Sequence, residues 1–168
     1  MKLKYLLSLF CIFSLSNYAQ SSNPIKQTEE QSKAVMQAYV NAWNTGTLEA
    51  LDAVCDTGVV RYDGIAPGYE YRGLPRLKKF IADYRRMFPD FKLVVQEEFY
   101  IGDRAILRWL VSGTNTGPGF VPPTGKSFTL SGISLYKFKN GKLMEEKSES
   151  DGLYFMEQIG FTLVPPKK

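Results

Sequence analysis

The feature that most constrains the fold is a long stretch in the second half of the chain, Arg104 to Asp151. It contains three strand-like segments, at 104–112, 127–138 and 142–150, and the first two are rich in β-branched and aromatic residues. Turn-forming residues separate them, namely a Gly- and Pro-rich loop at 113–126 and the pair Asn140-Gly141. Such a pattern is typical of strands joined by loops and by a tight hairpin. The stretch therefore predicts an antiparallel sheet, and one face of this sheet needs a cover.

Helical segments before the sheet supply that cover. A capping box at Thr28-Glu29-Glu30-Gln31 opens a helix, Thr47 can cap a short second helix, and Pro75 suits the first turn of a third. Asp151 can cap a short last helix that ends near Gln158. This order predicts an α+β fold, in which a curved antiparallel sheet packs against about three N-terminal helices and a short C-terminal helix.

A leader segment precedes the domain. Lys2 and Lys4 form a positive region, and the apolar run from Tyr5 to Leu15 is too short to span a bilayer. We expect residues 1–19 to be a signal peptide cleaved after Ala19, so that the mature protein is periplasmic or secreted and has no stable membrane insertion. The alternative is an uncleaved membrane anchor.

The remaining chain divides into three parts. We expect a flexible lead at 20–27, one folded domain at 28–160 and a loose tail at 161–168. A chain of roughly 150 residues suits a single domain with one sizeable core.

Charge argues against a nucleic-acid partner. The formal net charge is +4, and both signs are mixed along most of the chain. The basic cluster Arg76, Lys78, Lys79, Arg85 and Arg86 lies on a predicted helix. On a helix, a solvated face is more common than a nucleic-acid interface. We therefore expect no nucleic-acid partner.

Histidine is absent from the sequence, and Cys55 is the single cysteine outside the leader. No Ser-His-Asp site, no Cys-His site and no imidazole metal site can form. Cys55 lies on an apolar helical stripe and is interpreted as a buried small side chain, with a reactive thiol as the alternative. Chemistry is left to carboxylates, hydroxyls, lysine and arginine.

A series of short motifs covers nearly all of the predicted domain. In order they are Phe88-Pro89-Asp90, Gly102-Asp103-Arg104, Arg108-Trp109, Gly113-Thr114-Asn115-Thr116-Gly117, Pro122-Pro123-Thr124-Gly125-Lys126, Ser131-Gly132-Ile133, Asn140-Gly141-Lys142, Asp151-Gly152-Leu153 and Gln158-Ile159-Gly160. Together they resemble the SnoaL-like polyketide cyclase (ester cyclase) family. The resemblance implies the cone-shaped fold of nuclear transport factor 2 and ketosteroid isomerase, with a deep pocket between sheet and helices. It also implies aldol cyclisation without metal or organic cofactor, and a homodimer formed through the open sheet.

The last strand departs from the family pattern. Family cyclases carry a Glu-His-Trp-Asp run there, and its Asp is the acid/base. The matching residues here are Glu145, Glu146, Lys147 and Ser148. A serine hydroxyl cannot take up a proton at neutral pH without a base beside it. The resemblance therefore predicts the fold more strongly than the mechanism.

Glu146 and Ser148 are the catalytic candidates that remain. Glu146 is the better acid/base, because a carboxylate can accept a proton at neutral pH. The alternative is that Glu146 pairs with Lys147, Lys142 or Arg108 at an exposed edge, since charged strand residues are usually solvated.

The turn of the hairpin decides which side chains face the pocket. A type I turn with Gly141 as a bulge residue would place Glu146 opposite Ser134. The same register would place Ser148 over the small Gly132, which leaves room for a ligand. A two-residue turn would shift the pairing by one residue.

Ligand contacts are expected from six residues, for a small apolar or polycyclic carbonyl compound. An aromatic wall can form from Trp43, Tyr62, Trp109 and Tyr136, with core packing as the alternative. Arg108 lies in an apolar strand, and on the inner face it would bind a carboxylate or an anionic ligand group. Ser134 can donate a hydrogen bond to a ligand oxygen.

Two functions remain open from the sequence. One is a diverged enzyme that moves a proton next to a carbonyl, with Glu146 as the base and Ser148, Ser134 or Tyr136 as donors to the enolate oxygen. The other is a non-catalytic domain that holds an apolar ligand or dimerises, because a fold alone does not determine function.

Overall fold

The computed structural model describes residues 24–63, 69–162 and 164. The predicted signal peptide lies outside these ranges, as do the first part of the predicted lead and most of the predicted tail. Within these ranges, no helix combines the length and the apolar character that a membrane span requires.

The described residues form four helices and six strands. The helices are α1 (Pro24–Thr45), α2 (Leu51–Val54, preceded by a 3-10 turn at Leu48–Ala50), α3 (Leu74–Met87) and α4 (Gly152–Gln158). The strands are β1 (Cys55–Asp63), β2 (Glu70–Arg72), β3 (Lys92–Ile101), β4 (Arg104–Thr114), β5 (Ser127–Lys139) and β6 (Lys142–Ser150).

The strands form one curved sheet in the order β2-β1-β6-β5-β4-β3. Neighbours are antiparallel except β1 and β6, which are parallel. The predicted α+β class is confirmed, but a purely antiparallel sheet is wrong at this one pair. A parallel pair needs a long crossover, and here the chain between β1 and β6 contains all of α3 and β3 to β5.

Two local predictions differ from the structure. Helix α1 begins at Pro24, so that the predicted capping box at 28–31 lies inside it. Cys55 begins β1 instead of lying on a helix, yet it is buried, and burial raises the pKa of its thiol to about 12.

Aromatic contacts hold the helices against the sheet. The Trp43 ring of α1 packs edge-on against Phe80 and Tyr84 of α3, with centroid distances of 5.7 and 6.0 Å. Phe155 of α4 packs against Phe128 of β5 at 4.9 Å. Each such pair contributes about 0.5–1.5 kcal/mol beyond the burial of its area. The helices and the sheet are therefore fixed relative to each other on the concave face.

The β5–β6 hairpin has a two-residue turn instead of the expected bulged turn. Asn140 and Gly141 have φ values of 52° and 71°. Two successive positive values are the signature of a type I′ turn. Lys139 and Lys142 pair directly across it.

A bulge in β6 points Glu146 and Ser148 toward the concave face of the sheet, which the two-residue turn alone would not do. Met144 is an extra residue, because its two neighbours pair with consecutive residues of β5. Without it, strand alternation would turn Glu146 outward. With it, Glu146 pairs with Tyr136, and Ser148 pairs with Ser134. The predicted pairing of Glu146 with Ser134 is therefore wrong by two residues.

The space expected above Gly132 is occupied. Gly132 pairs with Ser150, and a Cβ atom at position 132 would lie 2.2 Å from two ring atoms of Trp109. The missing side chain makes room for the indole and not for a ligand.

The basic cluster of α3 has internal partners. The Arg85 guanidinium donates to the carbonyls of Trp43 and Asn44 at the end of α1, at 2.8 and 2.7 Å. Three other cations pair with Asp52 or Asp83, namely Lys78, Lys79 and Arg86. These contacts give the cluster a structural role.

Candidate functional site

A cavity of about 70 Å³ lies between the concave face of the sheet and the helices. Its apolar walls include Trp43, Phe80, Phe91, Leu107, Trp109 and Phe128. Its polar lining includes Tyr39, Arg61, Tyr136, Glu146 and Ser148. At roughly 10–15 Å³ per water, this space holds about five waters or one small ligand group.

Glu146 is the centre of the polar lining. Its side chain is only 4% exposed, and its Oε1 atom contacts Nη1 of Arg61 in a buried ion pair. The Tyr39 hydroxyl donates to Oε2 at 2.6 Å, and the Tyr136 hydroxyl donates to Oε1 at 3.2 Å. Both carboxylate oxygens therefore have donors.

Strand register brings these groups together. Arg61 of β1 is the parallel partner of Glu146, and Tyr136 of β5 is its antiparallel partner on the other side. Side chains directly across a pair of strands are within contact distance of each other. Helix α1 crosses this part of the sheet and supplies Tyr39 from its buried face.

The ion pair is buried on both sides. The Arg61 side chain is 9% exposed, and its guanidinium carbon lies 5.2 Å from the Phe80 ring centroid and 5.7 Å from that of Trp43. Burial opposes the guanidinium charge, but the carboxylate of Glu146 outweighs it, so that the pKa of Arg61 is raised above its usual value. Removal of one member of such a pair typically costs about 3–5 kcal/mol.

One donor of Arg61 is left over. Among the described residues, its buried Nε atom has no hydrogen-bond partner. An unsatisfied buried donor costs about 1–3 kcal/mol, and a bound ligand can provide the missing acceptor.

The two tyrosines of the cluster remain phenols at neutral pH. Burial raises the pKa of Tyr39 and of Tyr136 well above the ordinary tyrosine value, and the charge of Glu146 raises both further. Both hydroxyls are therefore hydrogen-bond donors in this site and not bases.

Uncharged groups surround Ser148. Trp109 Nε1 donates to the Ser134 hydroxyl at 2.9 Å, which in turn donates to the Ser148 hydroxyl at 3.1 Å. None of these groups can accept a proton at neutral pH.

The model of the SnoaL-like polyketide cyclase family matches residues 33–159, most of the chain. The chain belongs to this family. The fold of this family provides a pocket for a small molecule. A comparison with curated proteins finds no match.

Solved structures show the same fold. A protein assigned to the SnoaL-like polyketide cyclases from Jannaschia sp. CCS1 is 20% identical, with a TM-score of 0.72 over 83% of this chain and 96% of that one. TsrD from Streptomyces laurentii is 23% identical, with a TM-score of 0.69 over 78% and 96%. IdmH from Streptomyces antibioticus is 24% identical, with a TM-score of 0.66 over 78% and 99%.

Within this SnoaL-like domain, six of the predicted site residues meet at the cavity. Five line it directly, namely Trp43, Trp109, Tyr136, Glu146 and Ser148. Ser134 is fully buried behind them and links Trp109 to Ser148. The alternative of an exposed edge for Glu146 is wrong, because its partner is the buried Arg61.

Tyr62 and Arg108 do not reach the cavity. Alternation places Trp109 on the inner face of β4, and its neighbour Arg108 is exposed on the outer face, where it contacts Gln96 and Glu97. Tyr62 is half-buried, with the Lys147 ammonium 5.5 Å from its ring. The prediction that these two side chains contact the ligand is therefore wrong, because neither of them lines the cavity.

Sequence reasoning missed Arg61 and Tyr39. Arg61 follows two valines in a strand. An arginine in an apolar strand needs an anionic partner if it faces inward, and this reasoning was applied to Arg108 but applies equally to Arg61. Tyr39 is on the apolar stripe of α1, where nothing in the pattern separates a core tyrosine from a donor to the site.

The described residues contain no group of three or more His, Cys, Asp or Glu side chains that could hold a metal ion. The described residues that line the cavity offer proton transfer and hydrogen bonding by two carboxylates, one guanidinium, three phenols and two serines.

Proposed function

We propose that this protein is a cofactor-independent enzyme of the cyclase or isomerase type, which moves a proton at a carbon next to a carbonyl group. The observation that carries the proposal is a buried carboxylate, Glu146, on the wall of a mostly apolar cavity. Small-molecule enzymes use pockets of this kind, in which a few polar groups converge within mostly apolar walls.

The proton step starts at the carboxylate. Glu146 takes a proton from the carbon, the C–H electron pair forms a carbon–carbon double bond, and the carbonyl oxygen becomes an enolate. The enolate carbon then attacks a second carbonyl to close a ring, or it is reprotonated at another carbon. Tyr136 and Ser148 line the same cavity and can donate to the oxygen.

A second function is favoured by one specific observation. Three donors already engage the Glu146 carboxylate, namely Arg61, Tyr39 and Tyr136. A carboxylate held in this way is less available as a base, so a domain that only binds a small apolar carbonyl compound is the second candidate.

Deuterium exchange separates the two functions. Cyclohexanone and other small ketones are incubated with the protein in D₂O, and loss of the protons next to the carbonyl is followed by NMR. We expect the wild type to accelerate exchange and E146Q to lose about 10²–10⁴-fold, the usual contribution of a general base.

A matched control lies on the same strand. Glu145 is the neighbour of Glu146 but contacts Lys147 at 3.4 Å and does not line the cavity. E145Q should keep the wild-type exchange rate. Exchange that survives in E146Q contradicts the enzyme proposal, and ketone binding without exchange in the wild type supports the binding function.

We also propose that the protein is exported and acts as a homodimer. Export is supported by the charged, then apolar, leader that ends at Ala19. Dimerisation is supported by exposed apolar side chains on the outer face of β3 and β5, namely Val94, Phe99, Ile101, Ile133 and Leu135. An intact mass that corresponds to an N-terminus at Gln20 is the expected result for export.

A further inference from the structure

We propose that Arg61 binds the oxygen of the ligand through its Nε–H group, and that the ligand is a neutral carbonyl compound. The guanidinium then changes partner during the reaction, from the Glu146 carboxylate to the oxygen of the enolate. The second half of this proposal rests on the proposed proton transfer, whereas the first half concerns binding alone.

The covalent geometry of Arg61 leaves this donor available. Nη1 is committed to Glu146, and Nε–H points to the other side of the same planar group. Among the described residues, Nε is buried without a hydrogen-bond acceptor, and Arg61 lines the cavity. A buried donor at the wall of a cavity is a ready site for a carbonyl oxygen.

The charges of the lining favour a neutral ligand. Among the described residues, one guanidinium lines the cavity, that of Arg61, and it is already paired with the Glu146 carboxylate. A ligand that brings its own carboxylate would add negative charge to this set in a region of low dielectric. A ketone or aldehyde adds none.

The reaction conserves the charge of the site. Before the proton moves, the negative charge is on Glu146 and the positive charge is on Arg61. After the proton moves to Glu146, the same negative charge is on the ligand oxygen. Before the transfer, the Glu146 carboxylate raises the pKa of Arg61 in spite of burial. After the transfer, the enolate oxygen carries the negative charge that keeps Arg61 protonated. One guanidinium can therefore stabilise both states, provided that it has donors toward both oxygens.

Acetylacetone is a suitable probe, because its neutral and enolate forms have distinct ultraviolet spectra. E146Q removes the competing carboxylate and leaves Arg61 in place. We expect E146Q to bind the enolate at least about tenfold more tightly than the wild type, as for a hydrogen bond to a charged group. R61M/E146Q should lose this gain, and it leaves no buried charge unpaired.

A second pair of variants and ligands tests the details. R61K/E146Q keeps a positive charge but has no Nε–H, and we expect it not to restore the tight binding. Wild-type protein should bind 3-methyl-2-butanone more tightly than isobutyrate, which has a similar shape and a negative charge. Circular dichroism checks that each variant is folded.

The outcomes distinguish the two proposals. Equal enolate binding by E146Q and R61M/E146Q, or full restoration by R61K/E146Q, would overturn the role of the Arg61 Nε–H group. A preference for isobutyrate would overturn the claim that the ligand is neutral. Persistent deuterium exchange in E146Q would instead contradict the role of Glu146 as base and leave oxygen binding by Arg61 intact.

Discussion

At the scale of single residues, the site depends on how buried charge is compensated. Glu146 and Arg61 have side chains only 4% and 9% exposed, so neither charge is well solvated. Their mutual attraction and two phenol donors offset the lost hydration. The ion pair is therefore a requirement of the folded state as well as of the proposed chemistry.

This argument predicts the effect of R61M on stability. The variant should lower the free energy of unfolding by about 3–5 kcal/mol, because it leaves the Glu146 carboxylate buried without its cation. Urea unfolding measures the change. R108M is the control, since Arg108 is exposed and a surface ion pair such as that with Glu97 contributes little to stability.

A double-mutant cycle checks the cause. R61M/E146Q should be clearly less destabilised than the sum of the two single variants, because the double variant has no unpaired buried charge. Additive effects, or equal effects at positions 61 and 108, would show that the pair is not coupled.

The buried tyrosines predict a loss of stability at alkaline pH. The pKa of Tyr39 and that of Tyr136 are raised by burial and by Glu146 in the folded state. Their contribution is therefore complete below the pKa of an unfolded tyrosine, about 10, and decreases as the pH rises through the higher folded values.

Thermal unfolding between neutral and alkaline pH measures this decrease. Y39F and Y136F should each make the decrease shallower, since phenylalanine does not ionise. Y154F should not, because Tyr154 is 52% exposed. An unchanged pH dependence in all three variants would contradict the placement of both hydroxyls.

At the scale of elements, the β5–β6 hairpin positions the site. The type I′ turn fixes one register, and the bulge at Met144 turns the following residues so that Glu146 and Ser148 face the cavity. Close packing continues along β5, where Gly132 accommodates the Trp109 ring. The register of one hairpin therefore decides which carboxylate is inside.

We expect G132A to destabilise the protein by about 1–3 kcal/mol, the usual effect of overpacking. The added Cβ would lie 2.2 Å from the indole and 2.6 Å from the backbone oxygen of Glu149. Trp109 would have to move, and its fluorescence should change. G58A is the control, because the only close atom there, at 3.3 Å, belongs to the side chain of Asp56.

Periodicity and turn residues predicted the strands and the long helices, because these depend on local patterns. The inward face of Glu146 was predicted from a bulged turn that the structure lacks, and the bulge at Met144 produces it instead. The bulge at Met144 and the parallel pairing of β1 with β6 have no local signal. For that reason the sequence identified Glu146 but not its partner Arg61, which is distant in the chain. Arg108 was predicted at the ligand but lies on the outer face, because a local pattern does not determine which face of a strand is buried.

At the scale of the whole molecule, the two faces of the sheet have different environments. The concave face is covered by α1, α3 and α4, whereas the outer face of β3 to β5 exposes apolar side chains such as Phe99 and Leu135. Exposed apolar surface of this kind is typical of an interface between proteins. The proposed dimer would cover it.

We expect L135E to convert a dimer into monomers, because it places a charge in the centre of the proposed interface. Sedimentation velocity measures the oligomeric state. L153E is the matched control, since Leu153 has a similar exposure but lies on α4. A wild type that is monomeric, or an L135E variant that remains dimeric, would contradict dimerisation through this face.

The most direct measurement of the central claim is a crystal structure of E146Q with a ketone that undergoes exchange in the wild type. We predict that the carbon next to the carbonyl lies about 3–3.5 Å from the amide of residue 146, and that its oxygen contacts Arg61. A ketone bound outside the cavity, or with its reactive carbon facing away from residue 146, would contradict the account.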